Sequence, residues 1–379
     1  MDKLVGVRNY IMQKKYKWLL KPIFFKFDPE VIHDRMSSFL RFLGKYAVTR
    51  KMAYFWWGYS NAMLEQNILG INFKNPVGLS AGFDKNATLI NIMPSLGFSF
   101  TEVGSITGEK CEGNPKPRLW RLKKSKSLAV YYGLKNDGCE IVSKKLNGKK
   151  FLCPVGISIA KTNCKETVET EAAILDYFKA YQAFINIGDY VTINISCPNT
   201  FGGQPFTDSA KLEKLLGKIF SVSKTKPVFL KLSPDLRREE VDKIIDAAIR
   251  FKIDGFVCTN VTKNRDNKNI LDKEVPEKGG LSGKVVAELS DDLIRYVYKK
   301  TNGPSTSLGV NKYVIIGVGG IFSAEDAYRK IKAGASLVEL ITGMIYEGPQ
   351  LMSDINLGLV KLLKQDGYKN ISEAIGTEN

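Results

Sequence analysis

Eight short apolar runs, each followed by a longer amphipathic stretch, constrain this chain of 379 residues more than any other feature. The runs occupy 76–82, 99–106, 153–160, 190–196, 227–233, 255–260, 313–320 and 337–343. Helical spacing fills 86–95, 138–147, 169–186, 209–223, 237–251, 283–300, 323–333 and 350–364. A strand with one wet face alternates apolar and polar residues. These runs are nearly continuous in hydrophobicity, as strands covered on both faces are. The pattern predicts an α/β fold: a (β/α)8 TIM barrel over 61–379 with an N-terminal helical extension over 1–60. An open, doubly wound sheet is the alternative. Two connections, 107–137 after the second strand and 261–282 after the sixth, exceed ordinary loops and are expected to carry or cover an active site.

The extension has its own character. Residues 1–60 hold 12 Lys/Arg against 4 Asp/Glu, so they carry nearly half of the net charge of +17, and they hold 14 of the 40 aromatic residues. No nucleic-acid-binding motif accompanies this charge, and nucleic acid is not expected as a partner. Between 31 and 46, Val31, Ile32, Met36, Phe39, Leu40 and Leu43 follow helical spacing, with Asp34, Arg35, Arg41 and Lys45 between them. Two readings fit: amphipathic helices lying on a membrane surface, or a plain helical lid with solvated lysines. No apolar run reaches the roughly 18 residues that would span a bilayer. Six scattered cysteines without a CxxC pair argue against a disulfide framework or a zinc site, and favour a reducing compartment. A single histidine, His33, removes multi-histidine metal sites, and no metal is expected.

Polar residues cluster at the ends of the apolar runs. They are the Ser80–Lys85 loop, Ser105, Ser158, Asn194, Cys197, Asn199, Lys231, Thr259, Asn260, Gly319, Gly320, Thr342 and Gly343. Singly, each has an ordinary explanation: Lys85 as a solvated loop residue, Asn194 and Asn199 as turn formers around Pro198. On eight strands of one barrel they converge on a single mouth, where a polar ligand would satisfy them. Gly319-Gly320 and Thr342-Gly343 end the seventh and eighth strands, where barrels commonly bind phosphate.

The chain resembles the dihydroorotate dehydrogenases. The resemblance is carried from about residue 28 to 365 by Asp28-Pro-Glu-Val-Ile-His33, by 75–85 (Asn-Pro-Val-Gly-Leu-Ser-Ala-Gly-Phe-Asp-Lys) and by Gly113-Asn-Pro-Lys-Pro-Arg118. It continues through Asn194-Ile-Ser-Cys-Pro-Asn199, Lys231-Leu-Ser-Pro-Asp235, Gly279-Gly-Leu-Ser-Gly283 and Ile316-Gly-Val-Gly-Gly320. The first and third of these segments are similar to the membrane-associated, quinone-using class (class 2). The resemblance implies FMN held by Ser80, Ala81, Gly82, Phe83, Asp84, Ser105, Ser158, Asn194, Lys231, Thr259, Gly283, Gly319, Gly320, Thr342 and Gly343. It implies a dihydropyrimidine substrate at Lys85, Gly133, Asn194, Asn199 and Asn260, a base at Cys197, and a quinone path past His33 and Arg121. The implied activity is oxidation of (S)-dihydroorotate to orotate in pyrimidine synthesis, with electrons passed to a quinone. The implied location is peripheral, on the cytoplasmic side of a cell membrane, ahead of the mitochondrial inner membrane.

Four positions depart from the class. Cys197 stands where quinone-using members carry serine. Val130 stands where a substrate-binding asparagine is usual, and Ser158 and Ile341 replace a flavin-loop asparagine and a tyrosine on the eighth strand. The departures keep open a different dihydropyrimidine or cyclic substrate, or a soluble acceptor. A non-catalytic membrane-surface scaffold is opposed by intact Lys85, Cys197 and Lys231. A free thiol titrates near about 8.5, so Cys197 as a base is expected to need neighbouring cations such as Lys85 to lower it.

Overall fold

The computed structural model describes residues 2–303 and 313–379. Eight parallel strands close into a barrel: β1 (Val77–Leu79), β2 (Phe100–Ile106), β3 (Val155–Ile159), β4 (Tyr190–Asn194), β5 (Val228–Leu232), β6 (Gly255–Cys258), β7 (Val314–Val318) and β8 (Leu337–Leu340). Each pairs with the next in chain order, and β8 returns to β1 through Val338 opposite Val77. Closure excludes the open-sheet alternative. Every residue of β2, β3, β4 and β5 is buried, which is why their sequences lack alternation.

One end of the barrel is plugged by aromatic rings from the first residues of the strands. Phe73, from the hairpin Gln66–Ile68/Ile71–Phe73, meets Phe100 at 5.3 Å, and Tyr190 meets Phe229 at 5.3 Å. Gly156 makes room for this layer, since a Cβ there would stand 2.1 Å from the Tyr190 ring. The opposite, C-terminal end is therefore the open mouth.

Three helices precede the barrel: α1 (Asp2–Lys15), α2 (Pro29–Lys45) and α3 (Ala47–Trp57). Helix α1 continues through Tyr16–Leu20 and Lys21–Phe24. Helix α2 starts where it does because the Asp28 carboxylate accepts from the N–H groups of Glu30 (2.9 Å) and Val31 (3.0 Å), with Pro29 at the first helical position. The next residue, Glu30, is buried against Arg118, with Nε 3.1 Å from Oε2 and Nη2 2.8 Å from Oε1. Thus the Asp28–His33 and Gly113–Arg118 motifs meet, tying the N-terminal helices to the first long connection.

The barrel helices are α4 (Cys139–Leu146), α5 (Thr170–Ala183), α6 (Ser209–Ile219), α7 (Arg238–Arg250), α8 (Ala287–Asn302), α9 (Ala324–Lys332), α10 (Thr342–Glu347) and α11 (Leu351–Gln365). The helix expected over 86–95 is absent, and only the 3₁₀ turn Met93–Leu96 forms there. The buried Asp84 carboxylate takes the N–H groups of Thr88 (2.8 Å) and Leu89 (2.7 Å), and Ala87 adopts a positive φ of 53°. Pro94 also lacks the donor a helix interior needs. Conversely α10, a short helix that the periodicity does not reveal, follows β8 directly.

The N-terminal segment docks beside α10 and α11. Arg8 donates to Gly58 O and Ser353 Oγ, both at 2.9 Å, and the Tyr16 hydroxyl donates to Ile345 O at 2.6 Å. The two long connections join each other as well. Leu119–Leu122 pairs with Ser127–Val130, and the latter pairs with Gly280–Leu281, in one three-stranded sheet.

Candidate active site

A continuous cavity of about 460 Å³ runs from the polar ends of the strands to the inner faces of the N-terminal helices. Every residue expected at the site lines it except two, Asp84 and Ser158. Both stand behind the wall for physical reasons. Asp84 is committed to its own loop, and Ser158, fully buried, bonds its hydroxyl to that of Ser105 at 2.8 Å. They support the residues that face the cavity.

A polar chain crosses four strand ends. Asn194 Nδ2 donates to Ser105 Oγ at 2.8 Å, and Asn260 Nδ2 donates to Asn194 Oδ1 (3.3 Å) and Ser196 Oγ (3.1 Å). Two of the three asparagines therefore hold one another. The third differs: Asn199 Nδ2 donates to Val130 O at 2.8 Å, while its Oδ1 is buried with no partner. Such an acceptor is costly unless a ligand donates to it.

Three charged or titratable groups stand around this chain. Lys231 Nζ lies 3.7 Å from Glu102 Oε1 in the barrel interior. Lys85 has no ion-pair partner among the described residues; its ammonium sits 4.0 Å from the Tyr132 ring centroid, and dehydration lowers its pKa to about 8. Cys197, on the loop after β4, is half-buried. Desolvation raises its thiol to about 11, opposed by the Asn199 backbone N–H and by the ammonium groups of Lys161 and Lys263. The expectation that Lys85 lowers this thiol is corrected: the cations acting on it are on other loops, and burial outweighs them.

The glycines form a close-packed corner. A Cβ on Gly320 would meet Ala287 Cβ at 2.3 Å, and Gly320 has φ +75°. Helix α10 begins at this corner without a side-chain cap, and the N–H groups of a helix's first turn suit an anion. These donors, with Lys231 deeper in the barrel, fit a phosphate-bearing, planar cofactor.

At the other end the lining turns apolar, with Leu20, Phe24, Phe25, Met36, Phe39 and Leu40. Arg121 sits there, 4.6 Å from the Phe25 ring, with Nη1 donating to Phe27 O at 2.8 Å. His33 packs edge-on against Phe83 at 4.8 Å, and burial, then the Lys85 charge, pushes its pKa down to about 3. His33 is therefore a neutral imidazole at physiological pH.

A family model described as dihydroorotate dehydrogenase matches residues 63–363. The chain belongs to the dihydroorotate dehydrogenase family. It is 37% identical over 386 residues to the dihydroorotate dehydrogenase (quinone) of Trichodesmium erythraeum, covering 96% of this chain and 99% of that protein. It is 41% identical to the protein of the same name from Sulfurovum sp., covering 95% and 97%. Among solved structures, DHODH from Eimeria tenella in complex with ferulenol superposes with a TM-score of 0.81 at 30% identity, covering 93% of this chain and 96% of that one. The family is flavin-dependent, and these relatives place the chain with its quinone-linked type. Against that background, Val130 and Ile341 both line the cavity. Each presents a hydrocarbon where the resemblance implies a polar side chain.

Sequence reasoning missed Glu102 and Glu339, both fully buried in the barrel, and Tyr132, whose buried hydroxyl has no partner. The carboxyls had a signal: each is a charged residue in the middle of an apolar run. Tyr132 had none, because its place over Lys85 depends on how the long connection folds back.

Proposed function

We propose that this dihydroorotate dehydrogenase oxidises dihydroorotate to orotate on FMN and passes the electrons to a quinone at a membrane surface. One continuous cavity, polar at the barrel mouth and apolar between the helices, carries this reading, because it joins a site for a polar ring to one for a greasy acceptor. Bound FMN supplies the acceptor for hydride. The protein's own groups do the rest. Cys197 Sγ takes the proton from the ring carbon next to the one that loses hydride. Asn199 Oδ1 accepts from a ring N–H, Asn194 and Asn260 hold the amide edge, and the Lys85 ammonium faces the carboxylate. Gly319, Gly320 and the start of α10 would receive the phosphate, and Lys231 would offset the negative charge that gathers on the ring.

The test is anaerobic mixing of the yellow protein with dihydroorotate. Rapid bleaching of the long-wavelength flavin band, with FMN released on denaturation, is expected. Bound FAD, or a colour that dihydroorotate leaves unchanged, would reject the reading. Val130 favours a second reading: bleaching by another dihydropyrimidine but not by dihydroorotate would establish a changed substrate.

The membrane part rests on the surface. Among the described residues, 18 of the 25 exposed large apolar side chains lie in 1–57, including Trp18, Phe42 and Phe55. No helix among the described residues is long and apolar enough to cross a membrane. These helices would instead lie in the interface, with their lysines toward anionic headgroups. Changing Trp18, Phe42 and Phe55 to serine is expected to lower co-sedimentation with anionic vesicles at least tenfold. Turnover with a long-tailed quinone should fall with it, while flavin reduction by substrate is retained. Undiminished vesicle binding would leave the segment a plain lid.

A further inference from the structure

The middle layer of the barrel contains two carboxyls and one ammonium. Glu102 on β2 has partners: Lys231 Nζ at 3.7 Å, and the Thr192 hydroxyl, which donates to Oε2 at 2.6 Å. Glu339 on β8 has none. It has no exposed surface, both of its oxygens are buried without a hydrogen-bond partner, and it lines the cavity. The titratable groups facing it are Glu102 from β2, Tyr190 from β4 and Lys231 from β5, with the Ser80 hydroxyl beside them after β1.

One lysine cannot balance two carboxylates in a dry interior. Glu102 has the cation and the donor, so the proton is retained on Glu339. Burial, followed by repulsion from Glu102, accordingly raises the Glu339 pKa far above the usual carboxyl range. A protonated carboxyl is a donor, and a buried donor needs an acceptor. The Ser80 and Tyr190 hydroxyls beside it are not in hydrogen-bond geometry with its oxygens, Glu102 is engaged by Lys231 and Thr192, and the cavity that Glu339 lines offers an acceptor on its occupant.

We propose that Glu339 is a positioning residue for the flavin, kept protonated so that its O–H donates to an acceptor atom of the bound ring. The inference rests on the flavin reading above. Its consequence is electrostatic. A neutral Glu339 leaves the Lys231 charge available to the ring, whereas an ionised one would put a second negative charge beneath it and disfavour the reduced state.

The test compares the native holoprotein with Glu339→Gln and Glu339→Leu. The first probe is the infrared carbonyl band of a protonated carboxyl. It should be present in the native protein and absent in both variants. The second is sulfite, which adds to flavin N5 and places negative charge in the ring. Glu339→Gln keeps a neutral donor and should bind sulfite like the native protein. Glu339→Leu should bind it about tenfold more weakly, the worth of one buried hydrogen bond. A protonated-carboxyl band that survives in Glu339→Gln, or native sulfite affinity in Glu339→Leu, would overturn the proposal. A native protein that stays colourless with added FMN would defeat the flavin reading itself, which distinguishes the two failures.

Discussion

Cys197→Ala is expected to slow flavin reduction by dihydroorotate about 10²–10⁴-fold, the usual contribution of a positioned general base, while FMN stays bound. The residue sits on the loop after β4, beside Asn194 and Asn199, and lines the cavity. The glycine corner and Lys231, which would hold the cofactor, are on other strands, so affinity for FMN should be unaffected. Cys197→Ser should recover part of the loss, since a hydroxyl can relay the proton through water, but it is a weaker acid than a thiol. The pH profile separates the two groups. With the thiol raised to about 11, kcat should climb with pH throughout the neutral range and show no plateau there. Lys85, lowered to about 8, loses its charge above that value, so KM for the anionic substrate should worsen on the alkaline side. In Cys197→Ser the kcat limb should move to still higher pH while the KM limb stays in place. Parent rates of flavin reduction in both the alanine and serine variants would make Cys197 a packing residue.

Lys231→Met is expected to give the second large effect, on stability and cofactor together. The substitution nearly conserves volume but removes the cation 3.7 Å from Glu102, which has no exposed surface. Breaking a buried ion pair from one side costs about 3–5 kcal/mol, because the remaining charge has neither water nor partner. Glu102 and Glu339 would then face each other without a cation, and folding would require a further proton. The variant should therefore lose most stability at high pH and regain some as the pH falls. The measurement is the urea midpoint of the apoprotein at two pH values, with retained flavin colour recorded after purification. Lys231→Met combined with Glu102→Gln should restore much of the stability, because no ionised group is left unpaired, but it should not restore the native flavin affinity. A single variant as stable and as yellow as the parent would show that Lys231 neither balances Glu102 nor holds the ring.

The barrel was legible in the sequence because its cause is local and repeated. A strand covered on both faces must be apolar along its length, and that composition shows in one dimension at all eight positions. The convergence of polar residues was legible for the same reason, since barrel topology sends every strand end to one mouth. The segment 86–95 was not legible: its helical pattern is overridden by Asp84, whose carboxylate takes the N–H groups of Thr88 and Leu89. Asp84 and Ser158 belong to the right motifs, yet hydrogen bonding turns one into its own loop and the other onto Ser105.

The sequence alone thus determined the fold class, the end of the barrel where chemistry occurs and most of the polar residues that line it. These follow from residue type and spacing, which are properties of a string. The tertiary structure decided the charge states and the pairings. It holds the Cys197 thiol near 11, makes His33 a neutral imidazole and joins Glu30 to Arg118. It also leaves Glu339 without the partner that Glu102 has. Each of these depends on which distant segments exclude water from a group and which bring it a counter-charge, and that is set only when the chain closes on itself.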